Sequence, residues 1–152
     1  QKGSKRRRKA AQQVAKLHQH VANQRRDFHH KTALALIQRY GTIVHEDLNV
    51  KGIARTRLAK STYDVAWASF LAILGSKAVE AGCKVIAVPP YNTSQVCSQC
   101  GCLPDVPKTL ADRVHVCPHC GFVADRDYNA ALNILRLGLS RQALTPAVAD
   151  VA

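Results

Sequence analysis

The sequence predicts an α/β protein with a long basic helix at its amino-terminal end and an inserted zinc-binding lobe. Segments with helical periodicity alternate with short apolar segments typical of strands, which is the pattern of α/β folds. Two Cys-x-x-Cys motifs, separated by sixteen residues, follow the second apolar segment and indicate the lobe. A chain of 152 residues is long enough for one core and a small lobe stabilised by a metal ion.

The first helix is predicted over residues 4–40. They are good helix formers, and Gly41 follows at the position where glycine commonly ends a helix. A break at residues 27–29 is the alternative to one continuous helix. The apolar residues of the segment form one stripe between basic and polar faces. They are Val14, Leu17, Val21 and Phe28.

Two short strands are predicted, at residues 42–47 and 84–88. The first is rich in β-branched residues and ends in two acids, and the second is an apolar run typical of a buried parallel strand. Residues 49–58 after the first strand predict a basic loop.

The second helix lies between these strands and the third follows the cysteine motifs. Ser61 or Thr62 caps the second helix, and Gly82 ends it. Its apolar face comprises Val65, Ala66, Phe70, Ile73, Leu74 and Val79. The third helix is predicted over residues 128–137. Its apolar residues are Ala131, Leu132, Leu135 and Leu139.

This order of elements predicts how the chain is divided. Residues 1–92 form most of the core, and residues 93–123 form the inserted zinc ribbon. Residues 124–139 return to the core as its last helix. Residues 140–152 show no clear periodicity and predict a loose tail.

Four cysteines predict a structural zinc site: Cys97, Cys100, Cys117 and Cys120. Each Cys-x-x-Cys turn presents two thiolates along one edge of a tetrahedron, and a hairpin brings the second edge to the first. The glycine after each pair, Gly101 or Gly121, suits the positive φ that such a turn requires. The alternatives are a disulfide pair or unlinked core cysteines, and they are disfavoured because this spacing indicates a metal site unless the protein is secreted, and the basic, polar first residues do not resemble a signal peptide. Cys83 and Cys102 are predicted to be packing residues.

The net charge of +12 predicts a nucleic-acid partner, because an extended basic surface generally binds phosphates. The excess is concentrated in the first 31 residues, so we expect salt-sensitive binding to DNA or RNA. A solvated helix or disordered tail is the alternative for residues 1–9. The sequence has no apolar run of the roughly 20 residues that span a bilayer, so we expect a cytoplasmic protein without membrane contact.

Two acids from distant parts of the chain are candidates for a magnesium site. Glu46 ends the first strand and Asp127 begins the last helix, and ligands of open α/β sheets gather outside the carboxyl ends of strands. Magnesium prefers such carboxylate oxygens. Asp127 is alternatively a helix N-cap that needs no metal, and Glu46 an ordinary solvated strand end. His45 and Asp47 are weaker candidates.

Four segments together resemble the TnpB/OrfB proteins, which are encoded by insertion sequences and have long been labelled transposases. The segments are residues 44–49 (VHEDLN), residues 89–101 (PPYNTSQVCSQCG), the second Cys-x-x-Cys motif, and residues 125–134 (DRDYNAALNI). The resemblance covers about residues 1–138 and corresponds to the C-terminal portion of the family, which is related to type V CRISPR effector nucleases. In combination these motifs are highly specific.

The resemblance implies a partial RNase-H-like (RuvC-like) core with the zinc ribbon inserted before the last acid. In the family three carboxylates hold magnesium, and the site that they form hydrolyses DNA by a two-metal route under the direction of a guide RNA. Glu46 corresponds to the second acid and Asp127 to the third, with Asp125 as the alternative in another register. The resemblance also implies a prokaryotic, nucleoid-associated protein. Residues expected against nucleic acid are Lys5, Arg6, Arg7, Arg8, Lys9, Arg25, Arg26, Lys51, Arg55 and Arg57.

One feature of the family is not found in this sequence. No aspartate on an apolar strand precedes the first helix, so we expect little or no nuclease activity from this chain alone. The second functional hypothesis is therefore a non-catalytic zinc-ribbon module that binds DNA or RNA, such as a decayed transposase remnant.

Overall fold

The computed structural model describes residues 3–56, 59 and 66–144 and shows a mixed α/β architecture, the class predicted. Its elements are α1 (Lys5–Arg39), β1 (Thr42–Glu46), α2 (Val50–Ile53), α3 (Trp67–Glu80), β2 (Lys84–Val88), β3 (Val114–Val116), β4 (Val123–Asp125) and α4 (Arg126–Leu144). They form two compact units. We call Gln1–Gly41 with Val50–Lys84 the helical unit, and Thr42–Asn49 with Val85–Ala152 the ribbon unit.

Helix α1 is continuous over 35 residues, so the alternative with a break at residues 27–29 is wrong. Lys31 and Asp27 form an ion pair of 2.7 Å one turn apart across that segment, an arrangement that supports a helix. Ser4 caps the helix, since its hydroxyl accepts a hydrogen bond from the Arg7 N–H. Gly41 follows the helix without the left-handed conformation expected there, because the extended Tyr40 already ends it.

The packed side of α1 is not the predicted apolar stripe. Its buried residues are His29 and Ala33, and the His29 ring packs edge-on against Phe70 of α3 with centroids 5.5 Å apart. The stripe residues are each about half exposed or more: Val14, Leu17, Val21 and Phe28. Small and aromatic side chains at the crossing therefore determine how α1 meets α3.

Helix α3 begins after Ala66, which has a positive φ and no side-chain cap. The predicted caps, Ser61 and Thr62, and the apolar Val65 lie outside the described residues. Leu74 and Ala78 are buried, whereas Val79, assigned to the apolar face, is 83% exposed. Gly82 ends the helix with φ of +67°, as predicted.

The segment predicted as a basic loop contains the short helix α2. Arg55 follows that helix and is exposed. The side chain of Lys51 and the whole of Arg57 lie outside the described part of the chain. None of the described helices is both long and apolar enough to cross a membrane.

The ribbon unit contains two small sheets. Strands β1 and β2 pair with each other, and hydrogen bonds at the two ends of the pair run from Lys84 N to Gly41 O and from Asp47 N to Val88 O. Residue numbers increase together along the pair, so the strands are parallel, as predicted. Strands β3 and β4 form an antiparallel hairpin in which His115 faces Ala124.

Helix α4 packs on β1 and is longer than predicted. It continues to Leu144, so the first five residues of the predicted tail are helical, while residues 145–152 lie outside the described part. Its buried positions are Asn129, Asn133 and Gly138, whereas Leu135 and Leu139 are largely exposed. The close approach occurs at Gly138, where an added Cβ would lie 2.5 Å from both methyl groups of Val44.

We predict that Gly138→Ala destabilises the chain by about 1–3 kcal/mol, because the β-branched Val44 cannot turn away from the added methyl group. Urea denaturation followed by circular dichroism measures this. Gly75→Ala in α3 is the matched control, because nothing lies within 4 Å of its added Cβ, and it should be neutral or stabilising by up to about 1 kcal/mol. Equal denaturation midpoints for the two variants would contradict the proposed close packing.

Candidate metal centres

The two Cys-x-x-Cys turns have the same backbone geometry. Gly101 N donates to Cys97 O at 2.9 Å, and Gly121 N donates to Cys117 O at 3.0 Å. Both glycines have the predicted positive φ, +78° and +74°. The first cysteine of each turn is buried and the second is exposed. Matched turns of this kind present their two thiols on the same side of the backbone.

The four thiols meet in one cluster whose dimensions suit zinc. All four Sγ atoms lie within 4.8 Å of one another, with 3.7 Å between Cys97 and Cys120 and 3.6 Å between Cys100 and Cys117. A tetrahedron with zinc–sulfur bonds of about 2.3 Å has sulfur–sulfur edges of roughly 3.8 Å. The predicted ligands therefore form a set that could hold a metal ion, and zinc fits it. None of the described cysteines forms a disulfide.

The protonation of the cluster favours a bound cation. Backbone N–H groups, first that of Cys120, lower the pKa of the Cys117 thiol to about 6. The Phe122 N–H acts in the same direction on Cys120, but burial and the three other thiols outweigh it and raise the pKa of Cys120 to about 12. One thiolate therefore forms readily while further negative charge beside it is opposed. A divalent cation removes this conflict.

The two remaining cysteines lie outside the cluster, as predicted. Cys83 donates from its thiol to the Tyr40 carbonyl at 3.1 Å within the helical unit. Cys102 is exposed, so its predicted role as a packing residue is wrong.

Two asparagines of α4 attach the first cysteine turn to the helix that carries Asp127. Asn129 and Asn133 each donate to Val96 O, at 2.7 and 2.8 Å, and Asn129 Oδ1 accepts the N–H of Ser98 at 2.9 Å. Both side chains are almost completely buried. The bonds satisfy amides that would otherwise be costly to bury, and they fix the cysteine turn next to the start of α4.

Glu46 and Asp127 line the same cavity, which has a volume of about 680 Å³. Glu46 is the last residue of β1, and its Oε1 accepts a hydrogen bond of 2.5 Å from the hydroxyl of Thr93. Asp127 lies in the first turn of α4, with its side chain 81% exposed. Two acids that line the same cavity supply carboxylate oxygens, the ligands that a hard cation such as magnesium prefers.

The structure separates the roles of Asp125 and Asp127. Asp125 Oδ1 accepts the N–H groups of Asp127, at 2.8 Å, and of Tyr128, at 3.1 Å, so Asp125 is the residue that caps α4. The interpretation of Asp127 as the N-cap is therefore wrong. Asp127 is left to face the cavity, which Asp125 does not line.

Basic side chains share the cavity with the acids. Lys108 and Arg126 both line it, and the Arg126 side chain is only 14% exposed. Lys108 Nζ donates to Gln95 O at 3.0 Å and contacts His115 Nδ1, and burial lowers the pKa of Lys108. Gln95 also exchanges two hydrogen bonds with the backbone of Lys108. The cavity is therefore lined by both signs of charge.

The predicted nucleic-acid-binding residues lie mostly along α1, outside the ribbon unit. Lys5 to Lys9 are all exposed around its first turns, and Arg26 is exposed further along the helix. Arg25 is half-buried. A helix with exposed basic side chains on all faces of its first turns suits contact with a phosphate backbone.

Sequence reasoning missed the residues that support the two centres. Asn129 and Asn133 carried a usable signal, since polar residues four positions apart share one helix face directly after Asp127. Gln95 and Lys108 gave none, because their pairing depends on the path of the intervening loop. Thr93 and Arg126 lie within the segments that carry the family resemblance, but the residues that they contact in the fold could not be predicted from the sequence.

Comparisons with known proteins agree with these features. Residues 67–134 match the family model described as "Cas12f1-like, TNB domain", and residues 1–57 match the model described as "Probable transposase". The chain is 35% identical over 144 residues to the "Putative RNA-guided DNA endonuclease" of Streptomyces pristinaespiralis, and the alignment covers 93% of this chain and 35% of that protein. It is 36% identical over 80 residues to "Putative transposase MJ0856.1" of Methanocaldococcus jannaschii, covering 49% of this chain and 73% of that protein.

The fold is also found in a solved structure. A chain of "Cryo-EM structure of the Cas12f1-sgRNA-target DNA complex" superposes with a TM-score of 0.64 and 23% identity, covering 85% of this chain and 38% of that chain. This chain spans about a third of the length of the Streptomyces relative. From these matches and the motifs that carry the resemblance, the chain belongs to the TnpB/OrfB family of insertion-sequence-encoded proteins.

Proposed function

We propose that this chain is the part of a magnesium-dependent, RNA-guided DNA endonuclease that supplies two of its three metal-binding carboxylates, a zinc ribbon and a basic nucleic-acid-binding helix. The observation that carries the proposal is the cavity lined by both Glu46 and Asp127. Relatives named as RNA-guided DNA endonucleases support the activity and its partners, DNA and a guide RNA.

The proposal includes a fold. Strands β1 and β2 with α4 belong to an RNase-H-like (RuvC-like) core, and the zinc ribbon of residues 93–123 is inserted before its last helix. Residues 1–92 and 124–139 are the two parts of that core in this chain. The parallel pairing of β1 and β2 and the packing of α4 on β1 support this division.

In the proposed reaction Glu46 and Asp127 hold the divalent cations. Held by these two acids, divalent cations would supply the two-metal chemistry of phosphodiester hydrolysis, which is activation of a water and stabilisation of the 3′ oxygen that leaves. Lys108 and Arg126 place positive charge on the same cavity wall, where it offsets the charge of a bound phosphate. Gln95 and the Thr109 carbonyl hold these two basic side chains in place.

A non-catalytic zinc-ribbon module is the second candidate function. The four-cysteine cluster and the exposed basic residues of α1 would serve such a module equally well. The two carboxylates that line one cavity favour the endonuclease, because binding to nucleic acid alone has no use for carboxylates that repel phosphates. Binding of a divalent cation by Glu46 and Asp127 therefore separates the two functions.

We predict that Glu46→Gln and Asp127→Asn each weaken Mn²⁺ binding at least about 10-fold, because each removes an anionic oxygen ligand. Electron paramagnetic resonance of free Mn²⁺ during a titration measures this. Asp125→Asn is the matched control, since its amide oxygen can still accept the helix N–H groups, and its affinity should stay within about threefold of the original. If Asp125→Asn has the larger effect, the assignment of Asp127 is wrong.

We predict that the purified chain holds about one zinc ion and that Cys97→Ser or Cys117→Ser abolishes its binding, because each removes a buried thiolate from the tetrahedron. Elemental analysis by mass spectrometry gives the metal content. Cys83→Ser and Cys102→Ser are controls that should retain the ion, since neither thiol belongs to the cluster. Equal zinc in all five proteins would refute the site.

We predict that replacing Arg6, Arg7 and Arg8 together with glutamine reduces the salt dependence of duplex DNA binding. The slope of log K against log salt concentration should fall by about one unit for each phosphate that the variant no longer neutralises. Fluorescence anisotropy with labelled DNA at several salt concentrations measures it. The corresponding triple lysine variant keeps the charge and should keep the slope, and a reduced slope in both variants would point to unfolding of α1 instead.

A further inference from the structure

Thr93 binds Glu46 through its side chain and the helix that carries Asp127 through its backbone. It follows β2, is 4% exposed and lines the cavity. Its hydroxyl donates to Glu46 Oε1 at 2.5 Å, and its carbonyl accepts the amide of Asn133 at 2.9 Å. Asn133 belongs to α4, the helix that carries Asp127 in its first turn.

The hydroxyl of Thr93 has one proton and two neighbouring acceptors. Pro90 O lies at 3.3 Å, so the shorter contact to Glu46 Oε1 takes the proton. A donor on Oε1 leaves Glu46 Oε2 and the second lone pair of Oε1 for a cation. The hydrogen bond also limits the rotamers of a long side chain, whose ordering on cation binding otherwise costs conformational entropy.

The backbone of Thr93 is fixed independently of its side chain. The Asn133 amide that binds Thr93 O also binds Val96 O, and it is almost completely buried. Thr93 is therefore bonded to α4 through its carbonyl and to the Glu46 carboxylate through its hydroxyl. These two hydrogen bonds join Glu46 to the helix that bears Asp127.

We propose that Thr93 is a positioning residue that orients the Glu46 carboxylate for divalent-cation binding and keeps it in register with Asp127. The inference rests on the proposed function, since it assumes that these acids bind the cation. Residues that hydrogen-bond a metal ligand commonly change metal affinity by 10–100-fold when they are replaced.

The test compares Thr93→Val with Thr93→Ser in a Mn²⁺ titration of the whole chain, read by electron paramagnetic resonance. Valine has the shape of threonine without the hydroxyl, and serine keeps the hydroxyl. We expect affinity to fall about 10-fold with valine and to stay within about threefold of the original with serine. Rescue by serine is a result that a packing role alone does not produce.

Each other outcome overturns the inference in an identifiable way. If Glu46→Gln weakens binding but Thr93→Val does not, Thr93 has no positioning role and the proposed function stands. If serine is as weak as valine, the hydroxyl is not the responsible group. If Glu46→Gln leaves binding unchanged, the proposed function fails and the inference fails with it. Zinc content serves as the folding control, and Thr93→Ala replaces the valine variant if that variant loses its zinc.

Discussion

The buried amides of Asn129 and Asn133 are the interaction on which the ribbon unit depends. They bind the backbone of the segment that begins at Thr93 and contains the first cysteine turn, through Thr93 O, Val96 O and the Ser98 N–H. An apolar residue at position 129 would remove the partner of the Ser98 N–H, and one at position 133 that of the Thr93 carbonyl, at a cost of about 1–3 kcal/mol each. A helix that packed only through leucines could slide along this segment, whereas paired amides fix one register.

The fixed position of α4 along this segment places two chemically different sites close together, the four-cysteine cluster and the cavity lined by Glu46 and Asp127. Soft thiolates suit zinc and hard carboxylates suit magnesium, so the donor atoms keep the two proposed ions apart. Lys108 lies near both sites. It lines the cavity, and burial lowers its pKa while the nearby Cys97 and Cys117 act in the opposite direction.

Much of the fold could be predicted because it rests on local chemistry. The strands around Val44 and Ile86, the glycine turns after the cysteines and the four-cysteine cluster follow from composition and spacing alone. The exposed stripe of α1 could not be predicted, because periodicity shows which residues share a face and not what covers it. The support of the cavity by Gln95 and Lys108 depends on a loop path that local rules do not determine. Glu46 and Asp127 were expected to converge, and both line one cavity, whereas their roles as metal ligands remain a proposal.

The start of α4 shows how two neighbouring acids are given different tasks. A helix N-terminus has unpaired N–H groups and attracts negative charge, so either carboxylate could have been taken up as the cap. Asp125 accepts two of these N–H groups through a single oxygen. Asp127, whose own backbone N–H donates to that cap, lines the cavity, and its Oδ1 lies 3.5 Å from Arg126 Nε. Because Asp125 takes up these N–H groups, the Asp127 carboxylate is not needed as a cap, and Asp127 lines the cavity together with Glu46.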